Sequence, residues 1–144
     1  MGIRRALTVV ALGVAVLPAP LAATESREVT EAVTDYMDFA TYDAGIITPQ
    51  QLDQTVFERA TFVDTREAAQ FDAGSVPGAI NIEWREIPGR LDELPDSGMV
   101  ILFCNTGSLS AQAVFAARLL GKENVLVLQT GLDGWKHNAA WQPN

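Results

Sequence analysis

The sequence contains one cysteine, Cys104, and one histidine, His137, among its 144 residues. A single cysteine excludes an internal disulfide, and one cysteine with one histidine gives metal ligation little support. Positive charge is also scarce, since 10 lysine and arginine residues stand against 18 aspartate and glutamate residues, a net charge of −8. An acidic domain is a poor candidate for binding nucleic acid. We therefore expect no nucleic-acid partner.

The apolar run near the N terminus is shorter than a membrane span. Arg4 and Arg5 precede an uncharged apolar stretch over residues 6–17, and small residues follow it up to Ala23. This is the layout of a secretory signal, and a span needs about 20 apolar residues. We expect residues 1–23 to be a signal peptide and the mature chain to be exported without a membrane anchor. The mature protein would be periplasmic in a Gram-negative bacterium and secreted otherwise. The alternative is that the segment stays uncleaved as an N-terminal anchor.

The rest of the chain suffices for one compact domain preceded by a helix. Residues 24–45 are expected to form a helical extension, because an amphipathic pattern runs from Glu28 to Phe39. Residues 46–144 alternate short apolar segments with helical patterns, which predicts an α/β domain with a mainly parallel sheet flanked by helices. The five predicted strands lie at residues 46–47, 61–63, 79–81, 99–103 and 125–128.

Capping signals predict where the helices begin. Residues 48–51 carry threonine, proline and glutamine at helix-start positions, and predict a helix that ends before residue 59. Asp64 and Glu67 stand at capping-box spacing, which predicts a helix over about 65–71 with Asp64 as its cap. A long helix is predicted from Ser108 to Leu120.

Cys104 stands where a buried strand meets a loop that opens a helix. The strand over residues 99–103 is apolar on both faces, and Gly107 allows the following loop to turn tightly. Unpaired N–H groups at a helix start favour an anion, so a thiolate would be stabilised here. The alternative is an inert buried cysteine at a strand end.

Four segments occur in the order and spacing of a known family: residues 63–66 (VDTR), 74–81 (GSVPGAIN), 104–107 (CNTG) and 131–135 (GLDGW). They resemble a strand-end Asp-x-Arg, a Gly-His-Ile-Pro-Gly-Ala-x-Asn segment, the start of an active-site loop, and a C-terminal Gly-x-x-Gly-Trp. All four are features of the rhodanese family of sulfurtransferases. The stretch over residues 46–135 therefore resembles a single rhodanese-like domain.

The resemblance implies a mechanism. Cys104 would be the catalytic nucleophile, taking a sulfur atom from a donor such as thiosulfate as a persulfide and passing it to cyanide, a small thiol or a protein thiol. No metal or organic cofactor is implied. The loop would bind the substrate through the six residues after the cysteine: Asn105, Thr106, Gly107, Ser108, Leu109 and Ser110.

Asp64 and Arg66 have two interpretations. In the structural one, Asp64 caps a helix and Arg66 pairs with a nearby carboxylate. In the functional one, both shape the rim of the pocket. Trp84 is expected in the core or at the surface, with the pocket as the alternative. Trp135 is expected to pack the last helix on the sheet, and His137 to lie on the surface.

The chain departs from the family pattern at two positions. Leu109 stands where rhodanese loops often carry an arginine that helps to bind thiosulfate, and Ser75 replaces a common histidine. The related phosphatases carry arginine six positions after the cysteine, where this chain has Ser110, which argues against phosphatase activity. A catalytically weak rhodanese-fold binding or sulfur-carrier module is therefore the alternative function. A mixed disulfide between Cys104 and another protein ranks last, because the chain has no resolving cysteine.

Overall fold

A computed structural model describes residues 21–143 of the protein. The expected signal peptide over residues 1–23 therefore lies almost entirely outside the described residues. Side chains are described from residue 25 onward. None of the helices in the described part is long and apolar enough to cross a membrane.

Five strands form one parallel sheet. They are β1 (Ile46–Ile47), β2 (Thr61–Asp64), β3 (Ile80–Asn81), β4 (Val100–Phe103) and β5 (Val125–Leu128). Their order across the sheet is β1-β5-β4-β2-β3, and every neighbouring pair is parallel. The predicted five-stranded, mainly parallel α/β sheet is confirmed, and β4 lies at its centre.

Within residues 21–143, five α-helices accompany the sheet. They are α1 (Leu21–Phe39), α2 (Gln54–Arg59), α3 (Ala68–Asp72), α4 (Ser108–Leu119) and α5 (Gly131–Asn138). Short 3-10 turns occur at Pro49–Gln51, Ile87–Gly89 and Leu91–Glu93. The extra N-terminal helix is confirmed, and it begins before the predicted Glu28. It meets the domain through Tyr36, whose ring packs edge-on against Phe115 of α4 at 5.3 Å between centroids.

Two predicted helix starts differ from the structure. The single helix expected after residue 48 is broken at Leu52, whose backbone is not helical, and the Asp53 carboxylate starts α2 by accepting a hydrogen bond from the N–H of Val56 at 2.8 Å. The helix expected from Thr65 begins only at Ala68. Asp64 is not a helix cap, because its carboxylate accepts hydrogen bonds from Arg66 and Ser75, as described below.

The core occupies both faces of the sheet. Along β4, Val100 and Leu102 join one apolar cluster, while Ile101 and Phe103 join the other. The first cluster is closed by α4, and the second includes Trp135 of α5, as predicted. A central parallel strand covered on both faces reads as a continuous apolar run.

Because Leu102 is fully buried, replacing it with alanine leaves a cavity in the first cluster. We expect Leu102→Ala to lower the free energy of unfolding by about 3 kcal/mol, as for other buried leucines. Leu120→Ala is the matched control, because Leu120 is 58% exposed and should change stability little. Urea unfolding followed by circular dichroism measures both, and equal losses would contradict the position of Leu102 in the core.

Candidate active site

The candidate site lies beyond the carboxyl ends of β2 and β4. These strands are neighbours and parallel, so Asp64, which ends β2, and Cys104, which follows β4, meet at the same edge of the sheet. A cavity of about 450 Å³ opens there. Its walls come from three segments of the chain, with these lining residues: Thr65, Arg66, Glu67, Gln70, Glu83, Trp84, Arg85, Cys104, Asn105, Thr106 and Leu109.

The loop after Cys104 folds its backbone around the sulfur. Gly107 adopts a φ of 93°, a left-handed conformation that glycine takes without strain, and α4 begins at the next residue. The N–H groups of Thr106, Leu109 and Ser110 act as donors toward Sγ of Cys104 and lower the pKa of the thiol. The Ser110 hydroxyl, itself fully buried, lies 3.7 Å from the sulfur and 3.1 Å from the carbonyl oxygen of Gly107, and its one proton can be donated to either. The loop therefore surrounds the sulfur with hydrogen-bond donors.

These donors change the acidity of the thiol. Burial raises the pKa of Cys104, because it disfavours the charged form, and the side chain is only 4% exposed. The hydrogen bonds from Ser110, Thr106 and Leu109 outweigh burial, so the pKa of Cys104 falls below that of an ordinary thiol. The site thus favours the thiolate, which is the nucleophilic form of cysteine.

The N-terminal end of α5 holds the loop from behind. The carbonyl of Cys104 accepts a hydrogen bond from the N–H of Leu132 at 2.8 Å, and the carbonyl of Asn105 accepts one from Asp133 at 3.0 Å. Gly131 has a φ of 58°, and a Cβ there would lie 2.4 Å from the Cys104 carbonyl oxygen. Glycine at position 131 therefore lets α5 approach the loop this closely.

A buried ion pair supports the loop from the side. Arg66 donates to the Asp64 carboxylate from Nε at 2.9 Å and from Nη2 at 2.6 Å, and both side chains are almost completely buried. Arg66 also donates from Nη1 to Oδ1 of Asn105 at 3.1 Å. The hydroxyl of Ser75 donates to Asp64 at 2.7 Å. The hydrogen bonds from Arg66 to Asp64 raise the pKa of the guanidinium, which stays charged.

The structure places the two side chains of this pair differently. Arg66 pairs with a nearby carboxylate, as the structural interpretation expected, and it also lines the cavity. Asp64 is fully buried beneath the cavity and does not form its rim. Ser75, at the position of the family's histidine, completes the hydrogen bonding of that buried carboxylate.

The expected loop residues divide between two surfaces. Asn105, Thr106 and Leu109 line the cavity with Cys104, whereas Gly107 and Ser108 line a separate groove beside the loop. Ser110 lies beneath the loop and contacts the sulfur. Trp84 lines the cavity and also packs against the core. His137 is exposed on α5, as predicted.

The sequence did not predict the residues on the other wall of the cavity. Glu67, Gln70, Glu83 and Arg85 line it, although none was expected at the site. A signal was available for Glu83 and Arg85, since they follow β3 just past the carboxyl edge of the sheet. Among the described residues, no group of three or more histidine, cysteine, aspartate or glutamate side chains could hold a metal ion.

Comparison with known proteins identifies the family. The model of the rhodanese-like domain matches residues 48–138. The chain belongs to the rhodanese-like domain family. The solved rhodanese-related protein of Thermoplasma volcanium matches 65% of this chain and 93% of its own, with 25% identity and a TM-score of 0.59. The human single-domain sulfurtransferase TSTD1, at 23% identity and a TM-score of 0.59 over 66% of this chain and 97% of its own, shares the rhodanese fold.

Two sulfurtransferases are similar to this chain in sequence. A sulfurtransferase of Allochromatium vinosum is 32% identical over 78 residues, which is 54% of this chain and 73% of that protein. The adenylyltransferase and sulfurtransferase UBA4 of Yarrowia lipolytica is 34% identical over 94 residues, 64% of this chain. The rhodanese-like chain spans only 24% of the length of UBA4.

The role of the Ser110 hydroxyl can be tested by alkylation. Ser110→Ala removes one donor to the thiolate, and a hydrogen bond of about 1 kcal/mol corresponds to about fivefold less thiolate at neutral pH. We expect iodoacetamide to alkylate Cys104 about fivefold more slowly in this variant, with the midpoint of the pH profile moved upward. Ser97→Ala, in an exposed turn, is the control. An unchanged pH profile in Ser110→Ala would contradict stabilisation by the hydroxyl.

Proposed function

We propose that this protein is a sulfurtransferase that carries a sulfane sulfur as a persulfide on Cys104. The observation that carries the proposal is the convergence of three backbone N–H groups and one hydroxyl on a thiol whose pKa is lowered. A persulfide is also an anion at neutral pH, so the same donors would stabilise it after the sulfur is taken up. The family and the names of the relatives support sulfur transfer as the reaction class.

In the first half-reaction, the Cys104 thiolate attacks the outer sulfur of the donor. With thiosulfate, a new sulfur–sulfur bond forms to Sγ, the sulfur–sulfur bond of the donor breaks, and sulfite leaves with the electron pair. The donors from Thr106, Leu109 and Ser110 then face the resulting persulfide. Covalent capture of this kind divides the transfer into two simpler displacements.

In the second half-reaction, an acceptor nucleophile removes the outer sulfur and the thiolate of Cys104 is restored. Arg66 supports both steps as a positioning residue, because it holds the Asn105 side chain beside the cysteine. Its positive charge is largely compensated by Asp64. The ion pair therefore shapes the loop rather than supplying the main attraction for an anionic donor.

A second candidate function rests on Leu109. This side chain is 40% exposed and lines the cavity at the position where rhodanese loops often carry arginine. An apolar group there offers no charge to a dianionic donor, which favours a weak enzyme or a sulfur-carrier module that receives its sulfur from another protein. In that case Cys104 would still be loaded, but slowly by thiosulfate.

We propose further that residues 1–23 act as a signal peptide and that the domain works after export. The proposal is supported by the two arginines, the short apolar run and the small residues of this segment. N-terminal sequencing of the mature protein from its native host tests it. A first residue close to Thr24 supports export, and an intact N terminus contradicts cleavage.

The enzymatic proposal is tested by steady-state turnover with thiosulfate and cyanide. We expect Cys104→Ser to abolish turnover, because a serine hydroxyl does not form the persulfide. We expect Leu109→Arg to lower the KM for thiosulfate by about tenfold, since a hydrogen bond to a charged group contributes roughly 1.5–3 kcal/mol.

Leu120→Arg is the matched control for Leu109→Arg, because it adds the same charge at an exposed position outside the cavity. Turnover that survives in Cys104→Ser would contradict the assignment of the nucleophile. Wild-type protein that is inactive with thiosulfate and becomes active only as Leu109→Arg would favour the carrier function.

A further inference from the structure

The cavity above Cys104 has a wall that the proposed chemistry does not use. Glu83, Trp84 and Arg85 follow β3 and face the same space as the catalytic loop. The volume of about 450 Å³ lies in the range of small-molecule sites and exceeds what a small inorganic anion fills. Trp84 and Leu109 give this space an apolar part. The cavity therefore fits an organic molecule better than thiosulfate or cyanide alone.

The two arginines that line the cavity differ in burial and in the hydrogen bonds that they make. Arg66 and Arg85 are the cationic residues among the described residues that line it. Arg66 is buried, and its Nε, Nη1 and Nη2 atoms all donate hydrogen bonds to protein groups. Each guanidinium faces a carboxylate, Asp64 for Arg66 and Glu83 for Arg85, so the two arginines differ in burial and in remaining donors rather than in charge. All three nitrogens of the Arg66 guanidinium therefore already donate to protein groups. Arg85 is the arginine that would bind an anionic ligand.

Arg85 is oriented for such a contact. Glu83 accepts hydrogen bonds from its Nε at 3.0 Å and lies 3.0 Å from its Nη2, so one edge of the guanidinium is held. The guanidinium lies 5.9 Å from the ring centre of Trp84. Its Nη1 makes no hydrogen bond to any residue of the described part of the chain, and the side chain is 67% exposed. A second carboxylate can therefore bind at the remaining edge.

The surrounding negative charges favour an acceptor with one carboxylate over an acceptor with two. Glu67 and Glu83 also line the cavity, and the persulfide on Cys104 adds a further negative charge. These groups repel a dianion more strongly than a monoanion. An organic acid with one carboxylate satisfies Arg85, and its carbon chain can contact Trp84 and Leu109.

We propose that the sulfur acceptor is a low-molecular-weight thiol that bears a carboxylate, and that Arg85 binds this carboxylate and determines acceptor specificity. The inference rests on the proposed persulfide chemistry of Cys104. The acceptor thiolate attacks the outer sulfur, a sulfur–sulfur bond forms to the acceptor, and the bond to Sγ breaks with its electron pair returned to Cys104. One sulfane sulfur moves from one thiolate to another, so no external oxidant or reductant is consumed.

The test compares three thiols of similar size as acceptors from persulfide-loaded protein. Cys104 is first loaded with inorganic polysulfide, and the loss of the added sulfur is then followed by intact mass spectrometry. The acceptors are 3-mercaptopropionate, which is anionic, 2-mercaptoethanol, which is neutral, and cysteamine, which is cationic. Rates are measured for wild type, Arg85→Gln and Arg85→Glu, and for Arg59→Gln as an exposed control outside the cavity.

For each protein, the rate constant with 3-mercaptopropionate is divided by the rate constant with 2-mercaptoethanol. This ratio is then divided by the corresponding ratio in wild type. This double ratio cancels the intrinsic reactivities of the thiols. We expect it to fall about fivefold in Arg85→Gln, consistent with one partly exposed charge-assisted contact. Arg85→Glu should reverse the preference toward cysteamine, and Arg59→Gln should leave the ratio unchanged.

Equal ratios in wild type and both Arg85 variants would overturn the role of Arg85 while leaving the persulfide chemistry intact. A similar fall in Arg59→Gln would overturn it too, because the effect would then be one of net charge. Failure of polysulfide to load Cys104 in wild-type protein would instead contradict the proposed function itself.

Discussion

The site depends on one interaction, the convergence of backbone N–H groups from the Cys104 loop on a single sulfur atom. Burial alone would raise the pKa of the thiol, but the hydrogen bonds from Thr106, Leu109 and Ser110 outweigh burial and lower it. The donors belong to the backbone and to one buried hydroxyl, so they are fixed before any substrate arrives. A preorganised anion site of this kind suits the proposed alternation of Cys104 between thiolate and persulfide.

The remainder of the fold holds that loop in place. The central strand β4 delivers Cys104 to the carboxyl edge of the sheet, and α4 begins directly after the left-handed turn at Gly107. The tight approach at Gly131 lets α5 donate hydrogen bonds to the loop carbonyls. The ion pair of Asp64 and Arg66 fixes Asn105 from the other side. Three separate chain segments thus restrain one short loop, which explains why the family's motifs lie far apart in sequence.

The fold could largely be predicted because each strand is a short apolar run bounded by turn residues, and β4 is apolar on both faces. The predicted helix cap at Asp64 was wrong, because capping-box spacing is a local sequence pattern that does not show which groups the carboxylate binds. The carboxylate is instead occupied by Arg66, two residues along the chain, and by the hydroxyl of Ser75, which the fold brings beside it. Arg85 was not predicted at the site, because its position at the cavity depends on the path of the chain after β3.

Persulfide formation on Cys104 is the central claim, and the intact mass of the protein tests it most directly. Wild-type protein and Cys104→Ser are incubated with thiosulfate or inorganic polysulfide, desalted and weighed, and then treated with cyanide. We expect the wild-type protein to gain the mass of one sulfur atom, cyanide to remove it, and Cys104→Ser to gain none. A wild-type protein that gains no sulfur from any donor, or a Cys104→Ser variant that gains as much, would contradict this claim.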